Sequence, residues 1–151
     1  MERIFVGSEA LASGALTRYD LSRHYRRVLP DVYGPRRGVL SLPERTTAAW
    51  LWSQREGVVS GLAASAALGA KWVDVDTAIE LNWANNRPPI GVVTRRDSLL
   101  DDEVALLQGM AVTTADRTAF DLALRGSVGQ AVARLDALAR ATHFKAEDVQ
   151  A

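Results

Sequence analysis

The sequence predicts an α+β fold, and three observations carry that prediction. Capped helical segments occur in both halves of the chain, and the apolar period changes to two between Lys71 and Arg95. The third is Gly109 to Leu124, GMAVTTADRTAFDLAL, which reads as a short buried strand running straight into an amphipathic helix. At 151 residues the chain makes one domain or two small ones, and a 48% hydrophobic fraction is enough for a sizeable core. Formal net charge is zero, but it is unevenly placed. Residues 1–40 hold seven Arg against four acids, so the remainder is acidic. A basic N-terminal end on an acidic body points to an anionic partner at that end. The absence of Cys excludes disulfides, thiolate metal sites and a Cys nucleophile, and fits a reducing cytosol. MERIFVGSEALASG lacks the basic-then-apolar pattern of a signal peptide, and no apolar run is long enough to span a membrane. A cytoplasmic protein with no membrane partner is expected.

Taken in order, residues 8–13 form a short helical turn with Ser8 as cap and Gly14 as stop. LTRYDLSRHYRRV follows as the best local signal of the N-terminal part. Thr17 is the N-cap, Asp20 at the third helical position completes a capping box, and Leu16 can staple onto Leu21. Leu21, Tyr25 and Val28 form a core stripe, leaving Arg18, Ser22, Arg23, Arg26 and Arg27 on the other faces. Val28-Leu29 and Val32-Tyr33 around the Pro30-Asp31 turn read as a small hairpin, followed by Arg36 and Arg37. A basic helix followed by a basic hairpin is the outline of the end of a winged helix, whose helix and wing grip phosphates. The same residues also fit a solvated basic face on a helix-hairpin that only packs on the body. One good helix is visible where a complete helix-turn-helix needs two.

Ser41, Pro43 and Glu44 open a helix that runs to about Glu56 and stops at Gly57. Ala49, Trp50, Leu51 and Trp52 make it apolar over a wide arc, so the paired Trp residues read as core. Ser60 caps a short helix of small residues ended by Gly69. AIELNW and IGVVTR are strands joined through ANNRPP. An acidic loop leads to a short helix or strand before Gly109. In the helix that follows, Thr113 or Thr114 is the cap, and Ala119, Phe120, Ala123 and Leu124 are expected to face the core. Arg117 and Asp121 stand one turn apart. That is the weaker orientation for such a pair, which would matter most if one partner also held a neighbouring segment. Ser127 and Gln130 cap a last clear helix with a Val132, Leu135, Leu138, Ala139 stripe. Lys145 starts another, and its abrupt end at Ala151 suggests truncation.

Catalytic chemistry is sparse. Asp74, Asp76 and Glu80 would share a face if one strand ran through them, and three carboxylates can hold a divalent ion. No Gly-Ser element precedes them, and no ExK triplet stands nearby. There is no phosphate-cradling GxxxxGK[ST] motif. His24 and His143 lie in the basic helix and at a helix end, away from any Ser-His-Asp arrangement. No enzyme activity, metal or cofactor is expected.

RRVLPDVYGPR, GVVSGLAASAALGA, AIELN, IGVVTRRD and GMAVTTADRTAFDLA together resemble segments of AbiEi-type antitoxins of type IV toxin-antitoxin systems. They are most similar to an actinobacterial group in which this region precedes a Vsr-like endonuclease domain. The resemblance covers nearly the whole chain. It implies a short winged-helix-like part over residues 1–40, packed on a small mixed α/β antitoxin-type domain over 41–151. It implies a phage-defence or toxin-antitoxin regulator that binds promoter DNA, with a nucleotidyltransferase-like protein as cognate toxin. Onto this sequence it carries Arg26, Arg27, Arg36 and Arg37 as wing contacts and Arg117 with Asp121 as the family's helix signature. With the helix residues added, the candidate DNA-binding set is Arg18, Arg23, Arg26, Arg27, Arg36 and Arg37. Two departures stand out: the winged helix is shortened, and Ala67-Leu68-Gly69 stands where Leu-His-Gly is expected. The nuclease-like domain is missing beyond Ala151, so no nuclease activity is expected. The alternative reading is a non-catalytic interaction module, the accessory half of a truncated nuclease-family protein.

Overall fold

A computed structural model describes residues 3–142. His143 and the helix expected from Lys145 lie outside the described residues. The chain is α+β, with two sheets and helices on both. The first unit runs β1 (Phe5–Val6), α1 (Gly7–Ala12), α2 (Arg18–His24), β2 (Tyr25–Leu29) and β3 (Val32–Pro35). Its sheet has the order β1-β3-β2, antiparallel throughout.

Thr17 and Asp20 form the expected capping box on α2. The helix is shorter than its pattern suggests. It ends at His24, and Tyr25 and Val28 belong to β2, where Tyr25 meets the edge of the Phe5 ring at 4.9 Å. Tyr25 opens the strand opposite Pro35 of β3, and aromatic and β-branched residues fit a pleated, half-buried surface. Ser8 is not a cap. α1 begins one residue earlier, behind Val6, and Ser8 is instead bonded to Asp31 in the hairpin turn. α1 thus stands where the short helical turn was expected, ahead of α2.

α3 (Leu42–Trp52) follows, with the Ser41–Glu44 capping box in place. It stops before Glu56, because Gln54 and Arg55 take left-handed backbone conformations at φ 60° and 63°. α3 packs on all three strands of the first sheet, and Ala48 and Leu51 join Ile4, Val32 and Leu40 in one buried cluster. A helix outside residues 1–40 thus covers the sheet of that segment, and for this reason the segment looks incomplete when read alone. The other side of α3 supplies Leu42 and Ala49 to the main core.

The second unit contains β4 (Val58–Ser60), α4 (Gly61–Ala67), β5 (Ile79–Asn82), β6 (Val92–Arg95), β7 (Val104–Leu107), β8 (Met110–Thr113), α5 (Ala115–Ala123) and α6 (Val128–Thr142). Strand order is β6-β5-β4-β8-β7. β4 pairs parallel with β8, and β5 parallel with β6, so the ANNRPP loop makes a crossover and not a hairpin. Ser60 occupies the N-cap position of α4 but makes no side-chain cap bond. The registers and the two-residue period place Val59, Leu81, Val112, Ile79 and Val92 on one face, all buried in the main core. Ser60, Glu80, Asn82, Arg95 and Thr113 fall on the other.

α5 is rotated from its expected setting. Thr114 caps it and Ala119 is fully buried, but Phe120 is 38% and Leu124 68% exposed, and Ala123 is exposed as well. Thr118, Asp121 and Leu122 face inward instead. Polar partners beneath the helix, a Thr113–Thr118 hydroxyl pair at 2.7 Å and the Arg117–Asp121 ion pair, decide the rotation. α6 has its Ser127–Gln130 capping box and buries Leu138 against residues of α4 and α5, while Val132 is exposed.

Candidate nucleic-acid interface and the polar network behind it

The solvent face of α2 carries Arg18, Tyr19, Ser22 and Arg23. At about 100° per residue they share one arc of roughly 140°. Leu21 points the other way and is 6% exposed, and Asp20 is held in the cap. The Thr17 backbone N–H and hydroxyl keep the Asp20 carboxyl below its ordinary range, so it stays ionised within the cap. Arg23 lies over the Tyr19 ring, 5.9 Å from its centroid.

The other four candidate Arg residues lie on the hairpin, and their roles divide. Arg26 Nε donates to the Pro35 carbonyl at 3.0 Å, and a terminal nitrogen donates to Gly38 at 3.1 Å. Arg36 donates to the Ser22 carbonyl at 2.7 Å, satisfying a carbonyl near the C-terminal end of α2. Arg26 clasps the exit of the hairpin to β2, and Arg36 fastens it to α2. Arg27 and Arg37 are exposed and, like Arg18, make no ion pair or hydrogen bond through their side chains with the described residues. All six lie in the first unit, four with their forks open to solvent and two engaged on backbone, with Arg26 and Arg27 on opposite faces of β2.

The hairpin tip does not project freely. Asp31 has φ 58°, and its carboxylate accepts from the Ser8 N–H at 2.9 Å and the Ser8 hydroxyl at 2.5 Å. Its carbonyl accepts from Gly7 N–H at 2.8 Å. Asp31 is a cap supplied from another element, and it ties the turn to the N-terminus of α1. Glu9 extends the attachment through a bidentate pair with Arg55, which lowers the Glu9 carboxyl below its usual range. Replacing Asp31 with Ala removes two acceptors, and we expect a loss of about 1 kcal/mol, the usual cost of a deleted helix cap. Urea unfolding of Asp31→Ala measures it. An unchanged midpoint would mean that the turn holds α1 by backbone alone.

Asp74, Asp76 and Glu80 are not brought together. Asp74 and Asp76 sit in the exposed loop before β5, and Glu80 on β5 is paired with Arg95 and Arg125. The β-strand starts only at Ile79, so the alternation needed for a shared face never extends to the two Asp residues. No group of three or more potential metal ligands occurs among the described residues. Trp50 and Trp52 pack against both core clusters, and Trp52 meets Trp83 edge to face at 5.1 Å.

The polar face of the larger sheet holds a network whose full extent the spacing did not reveal. Arg117, only 12% exposed in its side chain, donates to Asp121 at 3.1 Å and to the Ser98 carbonyl at 3.1 Å, and pairs with Glu103 and Asp97. Arg125 bridges Glu80 and Asp97. Asn82 bonds both backbone groups of Asp97, at 2.7 and 2.8 Å. Burial pushes the Asp121 carboxyl up, and Arg117 opposes that rise. The Arg117–Asp121 pair thus anchors the 97–103 segment to α5. No helix of the described residues is long and apolar enough to cross a membrane. No family model matches the chain, and neither a curated protein nor a solved structure matches it.

Proposed function

We propose that this chain is an antitoxin-like, DNA-binding transcriptional regulator of a toxin-antitoxin or phage-defence system, acting in the cytoplasm. The observation that carries this reading is the solvent face of α2, where Arg18, Tyr19, Ser22 and Arg23 stand together on the second of two short helices that lead into a basic hairpin. Such a face presents cationic forks and hydroxyls to a groove while the flanking hairpin cations meet phosphates. Arg27 and Arg37 supply the open flanking charges, and Arg26 and Arg36 hold the hairpin in place. The resemblance of the chain's segments to AbiEi-type antitoxins supports the biological setting. It makes a nucleotidyltransferase-like protein the toxin that this regulator opposes.

The test is fluorescence anisotropy of the full chain with duplex from its own upstream region across a salt series. We expect specific binding with a steep salt dependence, weakened uniformly across sequences by Arg27→Ala and Arg37→Ala. Each lost phosphate contact lowers the log–log salt slope by about 0.9. Arg18→Ala and Arg23→Ala are expected to reduce discrimination against scrambled duplex as well. Absent or salt-independent binding overturns the proposal.

A second reading, a protein-interaction module without DNA binding, is favoured by one observation. Phe120 on α5, Leu124 at its C-cap, and Val128 and Val132 on α6 expose apolar side chains, the last three by more than 60%. Stable association with a protein partner, together with flat anisotropy data, would select it.

A further inference from the structure

The polar groups of α2 are engaged unequally. Asp20 closes the capping box, and Ser22 donates its hydroxyl proton to the Tyr19 carbonyl at 3.1 Å. His24 falls beside Asp20, off the arc that carries Arg18, Tyr19, Ser22 and Arg23. The arc therefore offers solvent mainly donors, those of its two guanidiniums. Arg18 and Arg23 make no ion pair or side-chain hydrogen bond with the described residues, so both keep all their N–H groups. They differ in one respect. Arg23 rests over the Tyr19 ring, 5.9 Å from its centroid, whereas Arg18 lies over no ring of the described residues. Tyr19 is itself 64% exposed and joins none of the buried clusters. Arg26 and Arg36 are held by donating to backbone, and Arg18, Arg27 and Arg37 are not held at all. Of the six candidate cations, Arg23 alone is placed without using a donor.

We infer that Arg23 reads a guanine in the major groove, and that Tyr19 is the positioning residue that holds its guanidinium for that contact. The inference rests on the reading of α2 as the DNA-facing helix and names the base it recognises. The major-groove edge of guanine presents two acceptors, N7 and O6, which one guanidinium fork meets together. Adenine is met by an amide and cytosine by a carboxylate. α2 has no Asn or Gln, and its one carboxylate is turned back into the cap. An approach over a ring uses the charge of the cation and leaves its N–H groups for the base. A free Arg side chain loses most of its rotamer freedom on binding, and resting on a neighbouring ring lessens that loss. The end of the helix is secured as well, because Arg36 donates to the Ser22 carbonyl next to Arg23.

Anisotropy of the full chain on duplex from its own upstream region tests the inference, with each guanine in turn replaced by 7-deazaguanine, which lacks N7. At one guanine of the bound site the parent is expected to lose affinity by about fivefold or more. Arg23→Ala is expected to bind the unmodified duplex about tenfold more weakly and to ignore the replacement at that guanine. Tyr19→Ala is expected to weaken specific binding by about two- to fivefold and to blunt the response there. Its salt slope stays that of the parent, since no charge is removed. Tyr19→Phe keeps the ring and is expected to keep the parent's response. Because Tyr19 is exposed, its removal leaves the unfolding midpoint in place, which a thermal melt checks. Salt-dependent binding that ignores every 7-deazaguanine, or a response that survives Arg23→Ala or Tyr19→Ala in full, overturns this inference and leaves the reading of α2 standing. Absence of salt-dependent binding by the parent overturns both.

Discussion

Replacing Arg117 with Met is expected to cost about 3–5 kcal/mol, the usual penalty for removing one partner of a buried ion pair. The Asp121 side chain is 4% exposed, and Arg117 is its one hydrogen-bonded partner among the described residues. The same guanidinium holds the Ser98 carbonyl and pairs with Glu103 and Asp97, so α5 and the 97–103 segment loosen together. The loss is pH-dependent, and its sign follows from Asp121. A carboxyl whose folded pKa is raised favours folding in its protonated form. Its contribution is present below the unfolded value and is lost as pH rises through the folded one. Without Arg117 that rise has less to oppose it. Arg117→Met is therefore expected to regain stability, relative to the parent, as pH falls from neutral toward the ordinary carboxylate range. Asp121→Asn in the same background is expected to flatten that pH dependence. Urea midpoints at neutral and mildly acidic pH measure both effects, and a loss equal at the two pH values would sink the account.

Glu44 shows the opposite sign at the surface. The Arg3 guanidinium and the Ser41 N–H lower its carboxyl to about 2, so its contribution is present at neutral pH and fades as pH falls between the usual carboxylate range and that value. The two residues illustrate what the sequence could convey. Glu44 is readable because a capping box is local chemistry: both partners lie within one turn, as they do for Thr17 with Asp20 and Ser127 with Gln130. Asp121 is readable as half of an (i, i+4) pair, but its burial depends on β8, which places Thr113 beneath Thr118 and turns Phe120 outward. Apolar periodicity alone assigns the wrong face to α5, since it gives no weight to a buried polar pair. The basic face of α2 was legible from spacing. The roles of Arg26 and Arg36 were not, because their acceptors are backbone carbonyls brought near by chain reversal.

Gly61→Ala is expected to be the other severe substitution, at about 2–4 kcal/mol. Gly61 opens α4 at φ 62°, where an L side chain costs roughly 1–2 kcal/mol. A Cβ there would collide with the Glu80 carboxylate. The carboxylate is paired with Arg95 through Oε1 at 3.3 Å and with Arg125 through Oε2 at 3.7 Å, although Oε2 itself accepts no hydrogen bond among the described residues, so swinging it aside costs those two ion pairs. Moving it would release both guanidiniums into a setting where Arg95 Nε is already buried without a partner. Shortening Glu80 separates the two contributions. In Glu80→Ala the collision is gone and only the backbone cost remains, so Gly61→Ala should then lose about 1–2 kcal/mol. The difference between the two backgrounds is the coupling between the entry of α4 and the Arg95–Glu80–Arg125 bridge. Equal losses in both would place the whole effect in the backbone of residue 61. A large coupling would show that Gly61 is needed because the carboxylate lies against it, and that the polar face of the sheet is built around that close approach.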